Sequence, residues 1–282
     1  ATDNLGVSSS DDTDGSFIVD NVAPHHWRDS APTDWVADQT PDCTIEVKDN
    51  TAGLDVSTAC YKYSTDGGSS WSSWRSASCT GSDGATSYRT ITAGSVPFNQ
   101  DSGTQNMIKF KIDDTATNTG ESEEYTVWID ATDPPAPVIS SSTHPEEAEW
   151  YTNNDPSFTW TTPSDTSGIS CYSYTFDQSA TTTPDTTCEP TGNSGSYADV
   201  ADGVWYFHLI AKDNAGNWGS ADHYGVKIER EASTTDAVIA LAIAAGIREY
   251  DPRLDVNGDG KVTALDALMI LQAAGGGRLP DA

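Results

Sequence analysis

The chain repeats itself, and the repeat limits the folds open to it before any motif is considered. Trp35, Pro41, Thr44, Asn50, Gly53 and Leu54 recur 115 positions on as Trp150, Pro156, Thr159, Asp165, Gly168 and Ile169. Cys60-Tyr61-Lys62-Tyr63 recurs as Cys171-Tyr172-Ser173-Tyr174, with Asp66 matching Asp177. Asp114, Ala116, Asn118, Gly120, Tyr125, Val127 and Ile129 pair with Asp213, Ala215, Asn217, Gly219, Tyr224, Val226 and Ile228. Two domains of about a hundred residues each follow. Within each, apolar and polar residues alternate, as in Cys43, Ile45, Val47, in Ile108, Phe110, Ile112 and in Phe207, Leu209, Ala211. That period marks half-buried strands. About seven short strands per repeat, with Asp/Asn/Gly corners between them, predict antiparallel β-sandwiches in tandem.

The corner Asp-x-Ala-x-Asn-x-Gly, followed by Tyr-x-Val-x-Ile, resembles the last hairpin of the immunoglobulin-like repeats common in bacterial and archaeal surface proteins. The resemblance covers both repeats and implies a fold, not a function. A third, partial copy opens the chain: Ala1, Asp3, Asn4 and Gly6 match Ala211, Asp213, Asn214 and Gly216, and Phe17-Ile18-Val19-Asp20 stands where a closing strand ends, ahead of Pro24. Two readings stay open. In the first, Phe17, Ile18 and Val19 simply pack on the first full domain, or the chain is one piece of a longer precursor; in the second, they form an orphan strand donated to the sheet edge of a neighbouring molecule, which would satisfy its backbone and bury Phe17 and Val19. The start at Ala1 rather than a Met suits a mature exported protein whose signal peptide has been removed.

Five cysteines in an extracellular chain favour disulfides. Cys60 and Cys79 flank a hairpin in the first repeat, and Cys171 and Cys188 flank its counterpart in the second. The expected pairs are therefore Cys60 to Cys79 and Cys171 to Cys188, each closing a loop worth roughly 3 kcal/mol through the unfolded state. Cys43 aligns with Phe158 at an inward strand position and is expected to be a buried free thiol.

Composition narrows the partners. With 43 acidic and 14 basic residues, a net charge of −29, the chain lacks the positive footprint that nucleic-acid phosphates require. Cations and proteins are the expected partners. The longest apolar stretch, Ala237 to Ala245, is far shorter than the roughly 20 residues that cross a bilayer. Leu is scarce outside the last fifty residues, so helix is expected only at the C-terminus.

There the strongest functional signal lies. In Asp255-Val-Asn257-Gly-Asp259-Gly260-Lys261-Val-Thr263-Ala-Leu-Asp266, candidate ligands occupy loop positions 1, 3, 5, 7, 9 and 12 with glycine at 6. Alternate side chains converge on one centre while the glycine makes the sharp turn, the arrangement a large hard cation needs. Ca2+ fits better than Mg2+, and Lys261 offers its backbone carbonyl. A helix is expected from about Ala264 to Ala274, entered through Thr263 and Asp266 and ending at Gly275. Thirty residues earlier, Ser233 and Asp236-Ala-Val-Ile-Ala-Leu echo it. The two helices are apolar nearly all round and are expected to bury against each other.

A duplicated loop–helix unit of this kind, with Asp at position 12, resembles a dockerin, the module that docks onto cohesin domains in extracellular assemblies. The stretch Leu265-Asp-Ala-Leu-Met-Ile-Leu-Gln-Ala-Ala looks like the dockerin-like C-termini of archaeal surface proteins. The resemblance implies calcium and a protein partner. This chain departs from it in two places. Positions 1, 3 and 5 of the first loop would be Gly225, Lys227 and Glu229, which belong to the closing strand of the second sandwich, so one calcium is expected rather than two. Positions 10 and 11 of the surviving loop are Ala264 and Leu265 rather than the hydroxyl pair of well-studied cohesin binders. Docking to a cohesin-like partner and simple stabilisation by a calcium clamp both remain open.

Ser64-x-Asp66-x-Gly68-x-x-Trp71 fits the Asp-box of sialidase-like propellers, where it is a turn, and a lone copy implies no glycosidase. Trp71 and Trp74 are expected to pack in the hairpin, with sugar stacking as the alternative. No nucleophile elbow, His-Glu-x-x-His or phosphate-cradling loop is present. The repeat places no paired acid beside His144, His208 or His223. The chain is thus expected to be mainly β: an orphan strand over 1–23, immunoglobulin-like sandwiches over 24–132 and 133–230, and an EF-hand-like, dockerin-like helical module over 231–282. The expected function is that of a non-catalytic, secreted cell-surface structural protein that self-assembles into fibres by strand donation. The alternatives are a docking module for a cohesin-like partner and a sugar-binding appendage.

Overall fold

A computed structural model describes residues 19–190, 192–229 and 232–275. Among the described residues the chain is mostly β, with two α-helices toward the C-terminal end. By compactness it divides into two units. Of the described residues, one unit draws on 19–135 together with 163–171 and 211–220, and the other on 136–162, 172–190, 192–210, 221–229 and 232–275.

The first repeat forms nine strands: β1 (Arg28–Ala31), β2 (Cys43–Val47), β3 (Leu54–Ser64), β4 (Arg75–Ser76), β5 (Ser78–Cys79), β6 (Arg89–Ala93), β7 (Met107–Asp114), β8 (Thr119–Glu121) and β9 (Tyr125–Thr126). They make two antiparallel sheets, ordered β1-β2-β6-β5 and β4-β3-β7-β8, with β9 also pairing β7. Alternation decides which side chains go inward. Ile108, Phe110, Ile112 and Asp114 of β7 are buried, and the residues between them are not. With Ile45, Val47, Leu54 and Ile91 they build a core that is chiefly aliphatic.

The second repeat forms β10 (Val138–Ser141), β11 (Trp150–Tyr151), β12 (Ser157–Thr161), β13 (Ile169–Asp177), β14 (Ser194–Ser196), β15 (Gly203–Asp213) and β16 (Asp222–Ile228). Its sheets run β10-β12-β14 and β11-β16-β15-β13, and β11 lies parallel to β16. The matching strands of the two repeats sit at matching places, which is why the sequences align. The cores differ in kind. Here the ring of Phe158 stacks on Phe207, centroids 4.4 Å apart and planes 5° from parallel, with Phe176 and Tyr224 packed around them.

Cys171 and Cys188 are disulfide-bonded, as the repeat predicts. The companion expectation is overturned: Cys60 and Cys79 are free thiols. Cys60 lies on β3, opposite Ser76 of β4, whereas Cys79 lies on β5 opposite Ile91 in the other sheet. A hairpin that leaves one sheet to join the other separates its ends, so the flanking positions do not face each other. Cys43 is fully buried, and burial pushes its thiol pKa up to about 12. Reducing Cys171–Cys188 in native protein is expected to cost the second sandwich about 3 kcal/mol. A calorimetric scan with and without reductant measures this as a loss in Tm on the order of 10 °C, confined to one transition.

The Asp-box segment is a turn. Ser64 Oγ accepts from Gly68 N at 2.9 Å, and Asp66 accepts from the backbone and hydroxyl of Ser70 at 2.8 and 2.6 Å. These donors hold the Asp66 carboxyl down to about 2. Nearby, Lys62 Nζ lies 5.2 and 4.8 Å from the ring centres of Trp71 and Trp74, and Lys111 Nζ lies 4.8 Å from Trp74. The two indoles are thus packed by ammonium groups.

At the C-terminal end, α1 (Thr234–Ala244) and α2 (Ala264–Ala274) are joined through one 3₁₀ turn, Pro252–Leu254. Both helices start with the same device. Ser233 accepts from Asp236 N while Asp236 accepts from Ser233 N, and Thr263 and Asp266 do likewise. Each capping box satisfies N–H groups that the first turn would otherwise leave open. The helices pack on each other through Ala237, Ala240, Ala267 and Ile270, with Leu254 and Val262 between them.

Candidate functional site

The loop between the 3₁₀ turn and α2 gathers its oxygens by sequence spacing. Gly258 and Gly260 take left-handed backbone angles, φ of 71° and 83°, which only glycine adopts cheaply. The bends bring Asp255, Asn257 and Asp259 together: Asp259 N donates to Asp255 Oδ1 at 3.2 Å and to Asn257 Oδ1 at 3.0 Å, and Asp255 Oδ2 accepts from Gly260 N at 2.7 Å. Asp266, fully buried, reaches back to the start of the loop, where its Oδ1 accepts from Val256 N and Asn257 N at 3.2 and 3.4 Å. Its Oδ2 accepts from Thr263 N at 2.7 Å and Thr263 Oγ1 at 2.8 Å. Burial raises the Asp266 pKa, and the Thr263 donors outweigh that, so the group lies below the ordinary carboxylate value.

Four of the six expected ligand residues, Asp255, Asn257, Asp259 and Asp266, are therefore tied into one loop by its backbone N–H groups. Lys261 is tied to the loop through its N–H to Asp259 Oδ1 at 2.9 Å, and the Thr263 hydroxyl is engaged in the helix cap. The donor set is all oxygen and carries three carboxylates. Asp255 Oδ1 and both Asp259 oxygens accept one donor each and keep a second lone pair, so the residues fit a hard dication such as Ca2+. Phe17 and Ile18 of the expected assembly strand lie outside the described residues, and Val19 is 84% exposed.

The helices carry a second feature. Val238 and Leu241 on α1, and Leu265, Leu268 and Leu271 on α2, are each at least half exposed. They sit three apart and so form one stripe per helix. Val238 and Leu241 lie thirty positions before Leu268 and Leu271, so the stripes occupy equivalent places in the duplicated unit. Mutual burial of two helices uses only one face of each, and the expectation of apolar surface all round leaves these outer faces open.

Two further oxygen clusters come from residues distant in sequence. Asp20, Asp49 and Asp114 each present a carboxylate oxygen within 4.8 Å of the others, and so do Asp130, Asp165 and Asp213. The two sets are built alike. Asp114 and Asp213 each accept two backbone N–H groups of their own corner and the amide of Asn118 or Asn217. Burial, then repulsion from Asp130, raises the Asp165 pKa. Such clusters can hold a metal ion. The repeat alignment carries a trace of them, since Asp114 matches Asp213, but it sets Asn50 rather than Asp49 against Asp165 because one loop is a residue longer. The structure also pairs a histidine with an acid that the repeat does not place beside it: His208 Nε2 lies 3.2 Å from Asp177 Oδ1.

The chain is mostly β and ends in a small helical unit with an oxygen-lined loop. Residues 246–279 match the family model for the dockerin type I domain. The match leaves the sandwiches outside it. Among solved structures, the fibronectin(III)-like modules of CbhA from Clostridium thermocellum are similar at 13% identity and a TM-score of 0.32, over 70% of this chain and 88% of that one. The BSP domain of a biofilm-associated protein is similar at 12% identity and a TM-score of 0.21, over 72% of this chain and 30% of that one. At these scores neither likeness bears on function. No curated protein matches the chain. Among the described residues, no helix is long and apolar enough to cross a membrane.

Proposed function

We propose that the protein is a non-catalytic extracellular structural component whose sandwiches carry a calcium-ordered helical module that docks onto a cohesin-like protein partner. The observation that carries this reading is the pair of exposed apolar stripes, Val238/Leu241 on α1 and Leu265/Leu268/Leu271 on α2, the second of which lies within the residues that match the dockerin type I domain. Leucine left open on two adjacent helices costs solubility unless a partner covers it. Asp255, Asn257, Asp259 and Asp266, with the carbonyl of Lys261, are the ligands we assign to one Ca2+, and Thr263, its hydroxyl engaged in the helix cap, holds Asp266 in place. Its role is to fix the angle between the helices and hence the spacing of the stripes. The sandwiches supply reach and rigidity.

The test is a binding titration of the full chain against a panel of cohesin modules, in calcium and in EGTA. At least one is expected to bind in calcium, and the joint change Leu241→Asp with Leu271→Asp is expected to weaken binding at least a hundredfold while leaving the calcium response intact. No binding to any cohesin, or binding indifferent to the double change, would overturn the proposal. Strand donation by Phe17, Ile18 and Val19 into a fibre is a second reading, favoured by the exposure of Val19. Filaments in electron micrographs that vanish when residues 1–20 are removed would support it.

A further inference from the structure

The second sandwich holds a chain of three side chains that the docking reading does not use. His208 on β15 and His223 on β16 are directly paired across adjacent antiparallel strands. Their Nδ1 atoms face each other at 2.6 Å. The other nitrogen of His208, Nε2, lies 3.2 Å from Asp177 Oδ1 at the end of β13. His208 is fully buried, and His223 is exposed.

The carboxylate decides the tautomer. A neutral imidazole carries one proton, and Asp177 accepts it from Nε2, which leaves the His208 Nδ1 lone pair directed at His223. A carboxylate that orients a histidine from behind is the arrangement that fixes the ring and its tautomer at metal sites. His223 then donates from Nδ1 in the metal-free pair, and its exposure gives an ion a route in. We propose that the facing Nδ1 atoms of His208 and His223 bind a transition-metal dication, Cu2+ above others, with Asp177 as the orienting carboxylate and water completing the coordination.

Distance selects the metal. Two nitrogens held about 2.0 Å from an ion lie about 2.8 Å apart as cis ligands of a square plane and about 3.3 Å apart in a tetrahedron. The observed 2.6 Å needs only a small opening to reach the first. Cu2+ prefers that geometry and heads the affinity order for nitrogen ligands. On binding, the proton of His223 Nδ1 passes through solvent to its Nε2, so the neutral pair loses no net proton. The strands fix both backbones, and the Cys171–Cys188 bond closes the segment that contains Asp177.

The experiment is a Cu2+ titration of the full chain followed by electron paramagnetic resonance, with calcium in excess to occupy oxygen sites. His25 and His26, whose rings lie 4.1 Å apart, are both changed to Ala to remove a competing pair. One equivalent is expected to bind with splitting from two nitrogens. His223→Ala, at an exposed position, is expected to abolish that signal without lowering the Tm. Asp177→Asn is expected to weaken it about 10- to 100-fold. An unchanged spectrum and affinity in His223→Ala, or no copper uptake by the parent, would overturn the site.

Discussion

Removing calcium from the intact protein with EGTA is expected to melt the helical module alone, and restoring it at a thousandfold excess over Kd is expected to return about 4.1 kcal/mol of stability. The reason lies in how little the module buries. Its core is Ala237, Ala240, Leu254, Val262, Ala267 and Ile270, half of them alanines. A unit of about fifty residues with so small a core usually needs a metal or a cross-link to fold. A bound ion would also cross-link Asp255, Asp259 and Asp266 across the loop, coupling its uptake to folding. Far-ultraviolet circular dichroism follows the two helices, and near-ultraviolet signals follow the aromatic-rich sandwiches. Asp255→Ala combined with Asp259→Ala should abolish the response to added calcium. Helical signal indifferent to EGTA would sink the assignment of the ion to this loop.

Phe158→Ala is expected to destabilise the second sandwich by about 3–5 kcal/mol. Its ring is fully buried and stacks face to face on Phe207, with Phe176 and Tyr224 around it. Truncation removes the transferred apolar surface and leaves a hole that stiff aromatic neighbours cannot close. The corresponding position of the first repeat is Cys43, packed among aliphatic chains that relax more readily. Cys43→Ala should therefore cost far less, about 1 kcal/mol. Chemical denaturation with separate fluorescence and thiol-accessibility readouts compares the two. Equal losses at both positions would contradict this account of the cores.

Much of the fold is legible in the sequence because the information is local. Ile108, Phe110 and Ile112 alternate, Asp114 to Asn118 makes a corner, and both features recur in the second copy with the same consequences. The loop at 255–266 is legible for the same reason, since its ligands are separated by two or three residues each. What stays hidden depends on which strands become neighbours. Asp20, Asp49 and Asp114 converge only after three separate segments are brought together, and Asp177, His208 and His223 only after β13, β15 and β16 align. The Cys60–Cys79 expectation fails on the same point, because adjacency in a hairpin does not say which sheet each arm joins. The buried thiol at Cys43 succeeds because inward facing follows from period alone.

The lysines over Trp71 and Trp74 have a consequence for how copies of this molecule meet. Of the 14 basic residues, Lys62, Lys111 and Lys212 lie against indole faces. The remaining surface approaches a polyanion, and two such bodies repel until their separation is comparable to the screening distance, about 8 Å at physiological ionic strength. Crowding these molecules together is therefore a matter of dissolved ions: dilute buffer keeps them apart, and brine or millimolar divalent salt lets their faces touch.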